Sequence, residues 1–423
     1  MTAVTVSTGP AGSCPEIVCH ECGLVHRRRT LPSGARASCS RCGHRLYAYR
    51  PPTIDRALAL TIAGLVLFVV ANVYPFLGLR MGSQLIESTL MTGSLTLYLQ
   101  GKWELALVVV GTSVLAPGLQ LLGLLYVLLP LQLGHTPRDL ARVFRLVEGL
   151  GHWAMMDVFL LGILVSTVKL ADMATIVAGP ALLAFVLLIF VLAGAQSAID
   201  PDRIWSQIRM RLRRASSDQD LPQPFECGSC HLTVARPRKA VSGALRCPRC
   251  TAPLHHRKKD SLQRSWALLL AACICYLPAN MLPIMHVTSL GQVQSDTILS
   301  GVFYLLHHGQ WPLALIVFVA SVFVPVLKIA LLLFLLWSVQ QHSRWRPVER
   351  TRLYRITEAV GRWSMVDVYV VTVLVALVQL GNLATIEAGW GAVYFAAVVI
   401  LTMLSAMSFD PRLIWDRQEK GIT

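Results

Sequence analysis

Eight of the eleven cysteines fall in four CxxC pairs: Cys19 with Cys22, Cys39 with Cys42, Cys227 with Cys230, and Cys247 with Cys250. Two CxxC turns a short hairpin apart bring four thiolates to one tetrahedral site, the arrangement zinc favours. The pattern occurs twice, so the sequence predicts two zinc ribbons. A cage of four thiolates has no open coordination position, which makes the metal structural and not catalytic. Iron in the same cage is the chemical alternative. Ribbons of this size cannot fold on apolar burial alone, so metal binding supplies much of their folding free energy. Paired CxxC turns in a reducing compartment are metal ligands and not a disulfide framework. Cys14 is expected to stay a free thiol, and Cys273 and Cys275 to pack inside a membrane span. His20, His26, His44, His255 and His256 cluster around the ribbons, but four cysteines leave them no vacant ligand position.

A second set of chemistry-bearing residues lies inside long apolar runs. A charge in a bilayer is costly, so Asp157, Asp367 and Lys328 are functional candidates, with Thr402 beside them. If Lys328 and Asp367 approach one another, each keeps the other ionised, and a shared proton would couple protonation to helix movement. The counterparts of Lys328 and Thr402 in the first half of the chain are Gln120 and Leu192, so a polar path is expected only in the second half. The competing reading has Lys328 snorkelling to the inner surface and Asp367 anchoring its helix. Lys169 is expected to snorkel to the outer surface. Asn72 and Asn280, shortly before Pro75 and Pro283, mark helix stops in preference to a binding role.

The elements that must position these groups follow from composition. Hydrophobic residues make up 54% of the 423 residues and charged ones only 14%, a membrane composition. Sliding the chain by 208 residues lays Cys19, Cys22, Cys39 and Cys42 over Cys227, Cys230, Cys247 and Cys250, and Pro117 over Pro325. After a two-residue slip, GHWAMMDV from Gly151 overlies GRWSMVDV from Gly361, and ATIVAG from Ala174 overlies ATIEAG from Ala384. The chain is therefore a tandem duplication. Each half has four apolar stretches near the about 20 residues needed to cross a bilayer. They are placed at 57–79, 104–130, 153–172 and 178–199, then 265–286, 311–338, 363–381 and 389–408. The overlong second and sixth spans are expected to tilt or kink at Pro117 and Pro325. Tight turns near Gly179 and Gly389 join the last two spans of each half.

The expected fold class is an all-α polytopic membrane protein: two tandem four-helix transmembrane domains, each preceded by a small cytoplasmic zinc ribbon. The divisions are a ribbon at 14–50, a first membrane domain at 55–200 and a basic linker at 201–223. A second ribbon at 224–256, a second membrane domain at 262–410 and a tail at 411–423 complete the chain. Of the 38 lysines and arginines, all but Arg80, Lys102, Lys169 and Lys328 lie on one predicted side, and 287–310 contains none. That asymmetry puts the ribbons and both termini in the cytoplasm, and it explains the net charge of +15 without nucleic acid. Residues 1–18 lack the charged start and apolar core of a signal peptide. The segments before the third and seventh spans, from Thr136 and Arg346, are expected either to lie at the inner headgroup surface or to extend the spans. The outward loops are short, so an envelope-spanning part has to come from a partner.

The blocks LPANMLPI, DTILSG, VPVLK, GRWSMVDV and FDPRLIWD resemble the paraquat-inducible protein A family, from about Cys19 to Trp415, and the second half resembles it more closely than the first. The resemblance implies a non-enzymatic protein of the bacterial inner membrane. Its implied partner is a periplasm-spanning MCE-domain protein, and its implied cargo is phospholipid moving between the two membranes. No nucleotide-binding motif is visible to power this. A thiol or metal sensor, and a proton-coupled exporter of small molecules, are the competing classes.

Overall fold

Apolar runs of this length satisfy their backbone inside a bilayer only as helices, and helices they are in the computed structural model of the chain. The structure describes residues 3–6, 16–29, 31–32, 34–48, 54–81, 84–135, 137, 139–170, 175–207, 225–234, 238–239, 245–255, 257–289, 292–307, 309, 311–343, 345–361, 363–378 and 384–416. Cys14, His256, the linker beyond Gln207 and the tail beyond Asp416 lie outside the described residues. Among those described, seven helices are long and apolar enough to cross a membrane: Ile54–Val73, Trp103–Gln132, Pro180–Ala198, Ser261–Met281, Ala314–Gln340, Pro347–Leu377 and Trp390–Ser408. The third span of the first half is a shorter apolar helix, Met156–Leu170.

The first and fifth spans stop earlier than their hydropathy suggests, and the all-α expectation needs correction. Past Pro75 the chain enters strand Leu77–Met81, which pairs antiparallel with Gln84–Ser88 on one side and Thr175–Ala178 on the other. Past Pro283, strand Met285–Ser289 pairs in the same way with Gln292–Asp296 and Ala384–Ala388. Each half thus ends in a three-stranded sheet, because backbone groups beyond the helix end need partners that only another strand supplies. Asn72 and Asn280 turn back to their own helices, donating to the carbonyls of Phe68 and Tyr276 at 2.8 and 2.9 Å, as helix stops do.

The repeated AG of the sheet strands also has a physical reason, and it is not a tight turn. A Cβ on Gly179 would sit 2.2 Å from the Pro75 carbonyl oxygen, and one on Gly389 2.1 Å from that of Pro283. Only glycine lets the chain cross here. Gly389→Ala is therefore expected to force the sheet off the helix ends and cost about 1–3 kcal/mol or more. Gly301→Ala, where nothing lies within 4 Å of the added atom, serves as the control. Thermal unfolding in detergent compares them, and equal midpoints would refute the steric account.

The long second and sixth spans widen into a π turn at Gly111–Leu115 and Val319–Phe323, immediately before Pro117 and Pro325. Proline has no N–H to give the helix, and the widened turn absorbs that gap. The third and seventh spans are broken. Helix Leu140–Leu150 runs beside Ala116–Gln132 so closely that a Cβ on Gly123 would meet Val147 at 2.4 Å. The chain breaks at Gly151 and restarts at Met156. In the second half, Pro347–Gly361 passes through a 3-10 turn at Trp363–Met365 into Val366–Leu377. Both leading segments are thus helices of their own, set off by a break from the helices that follow.

The first span packs on the fourth and the fifth on the eighth. The halves meet where Met156–Leu170 crosses Val366–Leu377: a Cβ on Gly162 would lie 2.8 Å from Tyr369, and the Ser166 hydroxyl donates to the Val370 carbonyl at 3.3 Å. Tyr369, fully buried, donates to Thr112 in the opposite π turn at 2.7 Å.

Candidate functional site

Each ribbon is two knuckles carried on short hairpins. In the first, strands Glu16–Val18 and Val25–Arg27 flank Cys19 and Cys22, while Arg36–Cys39 and Arg45–Ala48 flank Cys39 and Cys42. Gly23 and Gly43 close the knuckles at φ of +76° and +71°, a conformation glycine adopts without strain. His231 and Thr251 hold the same left-handed positions in the second ribbon, at 52° and 60°. The turns are otherwise identical: Cys227 N–H donates to the Leu232 carbonyl as Cys19 N–H donates to that of Leu24, both at 2.9 Å.

The sulfurs converge as the spacing requires. Cys19 and Cys42 are 3.6 Å apart, and Cys22–Cys39, Cys227–Cys250 and Cys230–Cys247 are each 3.5 Å apart. Within each set all four lie within 4.8 Å of one another. Metal–sulfur bonds of about 2.3 Å in a tetrahedron give edges of about 3.8 Å, so both sets fit one ion each. All eight cysteines are buried, which leaves no approach for a substrate. His26 Nε2 lies 3.2 Å from Cys39 Sγ, an outer contact that steadies a thiolate, and His44 Nδ1 lies 2.9 Å from Glu21.

The ribbons dock crosswise, each on helices of the repeat it does not precede. Cys19, Cys22, Cys39 and Cys42 belong to one buried cluster with Leu332, Leu335, Leu336, Phe409 and Trp415 of the second half. Cys227, Cys230, Cys247 and Cys250 share theirs with Ala57, Leu124, Leu128, Phe144 and Trp205 of the first. Specific polar contacts hold the first crossing. Arg355 pairs with the buried carboxylate of Glu21 and donates to the Cys42 carbonyl at 3.1 Å. Arg412 donates to the His20 carbonyl at 2.8 Å, and Arg41 stacks over Trp415 with 4.4 Å to the ring centre. Burial alone would raise the Glu21 carboxyl, but hydrogen bonds from His44 and Arg355 outweigh it and hold the group below its ordinary value. The ribbons touch each other through Glu226, which faces His231 at 2.5 Å, Arg412 at 3.5 Å and His20 at 3.9 Å. At the start of the fifth span, the Lys258 ammonium caps the end of the eighth, donating to the carbonyls of Met407 and Phe409 at 2.7 and 3.1 Å.

Of the candidates within apolar runs, Lys328, Asp157 and Asp367 lie at the helix breaks and Thr402 does not. Lys328, 2% exposed, donates from Nζ to the Gly361 carbonyl at 3.5 Å, where helix Pro347–Gly361 ends with its last carbonyls lacking partners along the chain. Asp367 and Asp157 stand in the first turn of the restarted helices, half-buried and exposed respectively. Cation at a C-terminal end and carboxylate at an N-terminal end is the arrangement helix dipoles favour. Gln120 faces the corresponding break, with Nε2 3.6 Å from where a Cβ on Gly151 would be. Thr402 is buried, but its hydroxyl donates to the carbonyls of Val398 and Val399 on its own helix at 2.9 and 3.0 Å. Two participants escaped sequence reasoning: the Gly361 carbonyl, and Ser364, whose buried hydroxyl has no hydrogen-bond partner among the described residues. The signal was there in the glycine that opens both GxWxM blocks.

Broken, charge-bearing spans joined to two closed four-thiolate sites define a polytopic membrane protein with a duplicated helical body and two metal-binding centres. The family model described as "Paraquat-inducible protein A" matches residues 54–209 and again 262–419, once per repeat, and the chain belongs to that family. The chain is 35% identical to "Intermembrane transport protein PqiA" of Escherichia coli (strain K12) over 414 residues, 96% of each chain. It is 32% identical to "Lipophilic envelope-spanning tunnel protein A" of the same organism over 405 residues, 95% of this chain and 92% of the relative. A "Probable intermembrane transport protein" of Haemophilus influenzae is 30% identical over 406 residues, 94% of this chain and 95% of the relative. The first and third of these relatives are named as transport proteins and the second as a tunnel protein, none as an enzyme. No solved structure matches.

Proposed function

We propose that the chain is the inner-membrane component of a bacterial envelope system that loads or unloads phospholipid for a periplasm-spanning MCE-domain partner, with proton movement through Lys328 and Asp367 as its drive. The observation that carries the reading is the buried ammonium of Lys328 at the broken seventh span. A lysine with almost no exposure, set against the end of a half-helix, changes the attraction between two helices when its charge changes. Intermembrane transport is what one relative's name states for that protein, and an envelope-spanning tunnel what another's states for it. The basic residues put the ribbon end in the cytoplasm and the sheet end, where the partner docks, in the periplasm. Zinc is the ion for both four-thiolate sites, holding the cytoplasmic ribbons that tie the halves together. The full burial of the eight cysteines favours this structural role over thiol sensing, which needs accessible sulfur.

Lys328→Ala and Asp367→Ala are each expected to reduce lipid flux between membranes to background while insertion and metal content stay normal. Proteins so altered that still move lipid at the wild-type rate would end the proton-drive reading. Flux of small amphiphilic drugs without lipid would favour an exporter instead.

A further inference from the structure

The duplication buries corresponding surfaces of its third helices unequally. Helix Val366–Leu377 is sheathed by helix Thr92–Leu99, which comes so close that a Cβ on Gly93 would lie 2.9 Å from Thr372. Around it Val371, Leu374, Ala392 and Ala396 are at most 7% exposed. Their counterparts in the first half, Leu161, Leu164, Leu182 and Val186, line an open cavity of about 520 Å³. Leu164 is 58% exposed where Leu374 is 4%. The helix that the repeat would lay there, Ile298–His307, packs on Trp311–Phe318 as Thr92–Leu99 packs on Trp103–Val110, but Gly301, the counterpart of Gly93, meets nothing within 4 Å.

The walls of the cavity are apolar, but one end is not. Asp157 lines the cavity at the start of helix Met156–Leu170, and Trp363, contributed by the second half, lines it as well. A carboxylate accepting N–H bonds and an indole face attracting a cation together recognise an ammonium group. From Asp157 to Thr167 the lining helix rises about 15 Å, room for most of a hydrocarbon chain. We propose that this groove binds a phospholipid whose headgroup carries a protonated primary amine, with the ammonium at Asp157 and Trp363 and one acyl chain along Leu161, Leu164, Leu182 and Val186. The ligand class rests on the lipid-handling reading above; the asymmetry of the two surfaces does not. Helix Ile298–His307 is a poorer occupant, because it carries no lysine or arginine to meet the carboxylate.

The full chain, purified in mild detergent and stripped of lipid, is offered phosphatidylethanolamine or phosphatidylglycerol with identical acyl chains, and retention is read by native mass spectrometry. Wild type is expected to retain the amine lipid about tenfold better, the worth of one charge-assisted hydrogen bond. Asp157→Asn, nearly isosteric, should erase the preference. Leu161→Trp should fill the groove and lower retention of both lipids with two metal ions per chain still bound; if it loses metal, Val186→Phe replaces it. Equal retention by wild type, a preference that survives Asp157→Asn, or undiminished retention in the filled groove overturns the proposal. So does a Gly301→Cys/Leu164→Cys cross-link that forms as readily in excess amine lipid, since the helix would then own the site. Equilibrium retention needs no transport. A wild type that shows the preference but moves no lipid defeats the transport reading alone, and flux without preference defeats the groove alone.

Discussion

Cys227→Ser is expected to lower the metal content from two ions per chain to one and to loosen the first half of the molecule, leaving the second half intact. The size of the effect comes from the ribbon's dependence on its ion. Four-thiolate sites in small domains carry apparent binding free energies of about 10–16 kcal/mol near neutral pH, more than the apolar interior of such a domain supplies. Losing one thiolate therefore unfolds the ribbon. Where the damage spreads is set by the crossing: the sulfur atoms of the second ribbon share their buried cluster with Ala57, Leu58, Leu124, Val127, Leu128, Phe144 and Trp205. Hydrogen exchange should accelerate at the ribbon ends of helices Ile54–Val73 and Leu140–Leu150. Cys19→Ser should do the reverse, accelerating exchange near Leu335, Tyr354 and Trp415. Elemental analysis with peptide-resolved exchange checks both. Loosening of the half that directly follows each ribbon in the chain would contradict the crossed docking.

Arg355→Ala is expected to detach the first ribbon at a cost of about 3 kcal/mol. The Glu21 side chain is 8% exposed, and removing its guanidinium leaves a buried carboxylate supported by His44 alone. Breaking a buried pair from one side costs about 3–5 kcal/mol, and the low end applies because the Arg355 side chain is 33% exposed and partly screened by solvent. The pH dependence has a definite sign. Glu21 is held below its ordinary value in the folded protein, so its contribution is fully present above the ordinary carboxylate range and is lost as pH falls through the lowered folded value. Without Arg355 the lowering is smaller, and the acid loss of ribbon docking should begin at a higher pH. Protease nicking between Cys42 and Ile54, followed against pH, reads this directly. Identical acid limbs for wild type and Arg355→Ala would show that the pair does not hold the ribbon.

Both results depend on contacts far apart in sequence, and that separates the legible part of this protein from the rest. The four CxxC pairs were readable because a knuckle is local: the spacing within each pair and the turn between hairpins fix the geometry of the sulfurs before anything else packs. Lys328, Asp157 and Asp367 stood out because a charge in an apolar run is anomalous wherever the run ends up. The all-α expectation failed at 77–88 and 285–296 because strands there are stabilised by Thr175–Ala178 and Ala384–Ala388, far along the chain. The sequence already set a leading segment from Arg346 apart from a span starting at 363, and the structure puts the division there, between Pro347–Gly361 and Val366–Leu377. The break at Gly361 is held by Lys328 from a neighbouring span, and no local pattern encodes that support. Ser364 and the Arg355–Glu21 pair were missed for the same reason.

The amino-acid order by itself determined the duplication, the helices long enough to span a membrane, the two four-thiolate sets and the charges within apolar runs, since each is a matter of residue type and short spacing. Tertiary structure alone decided that each ribbon sits on the other repeat, and that one of two equivalent surfaces is sheathed while the other lies open. A tandem repeat assigns the same motifs to both halves, so which face meets which is settled by the residues in which the halves differ and by packing between distant parts of the chain.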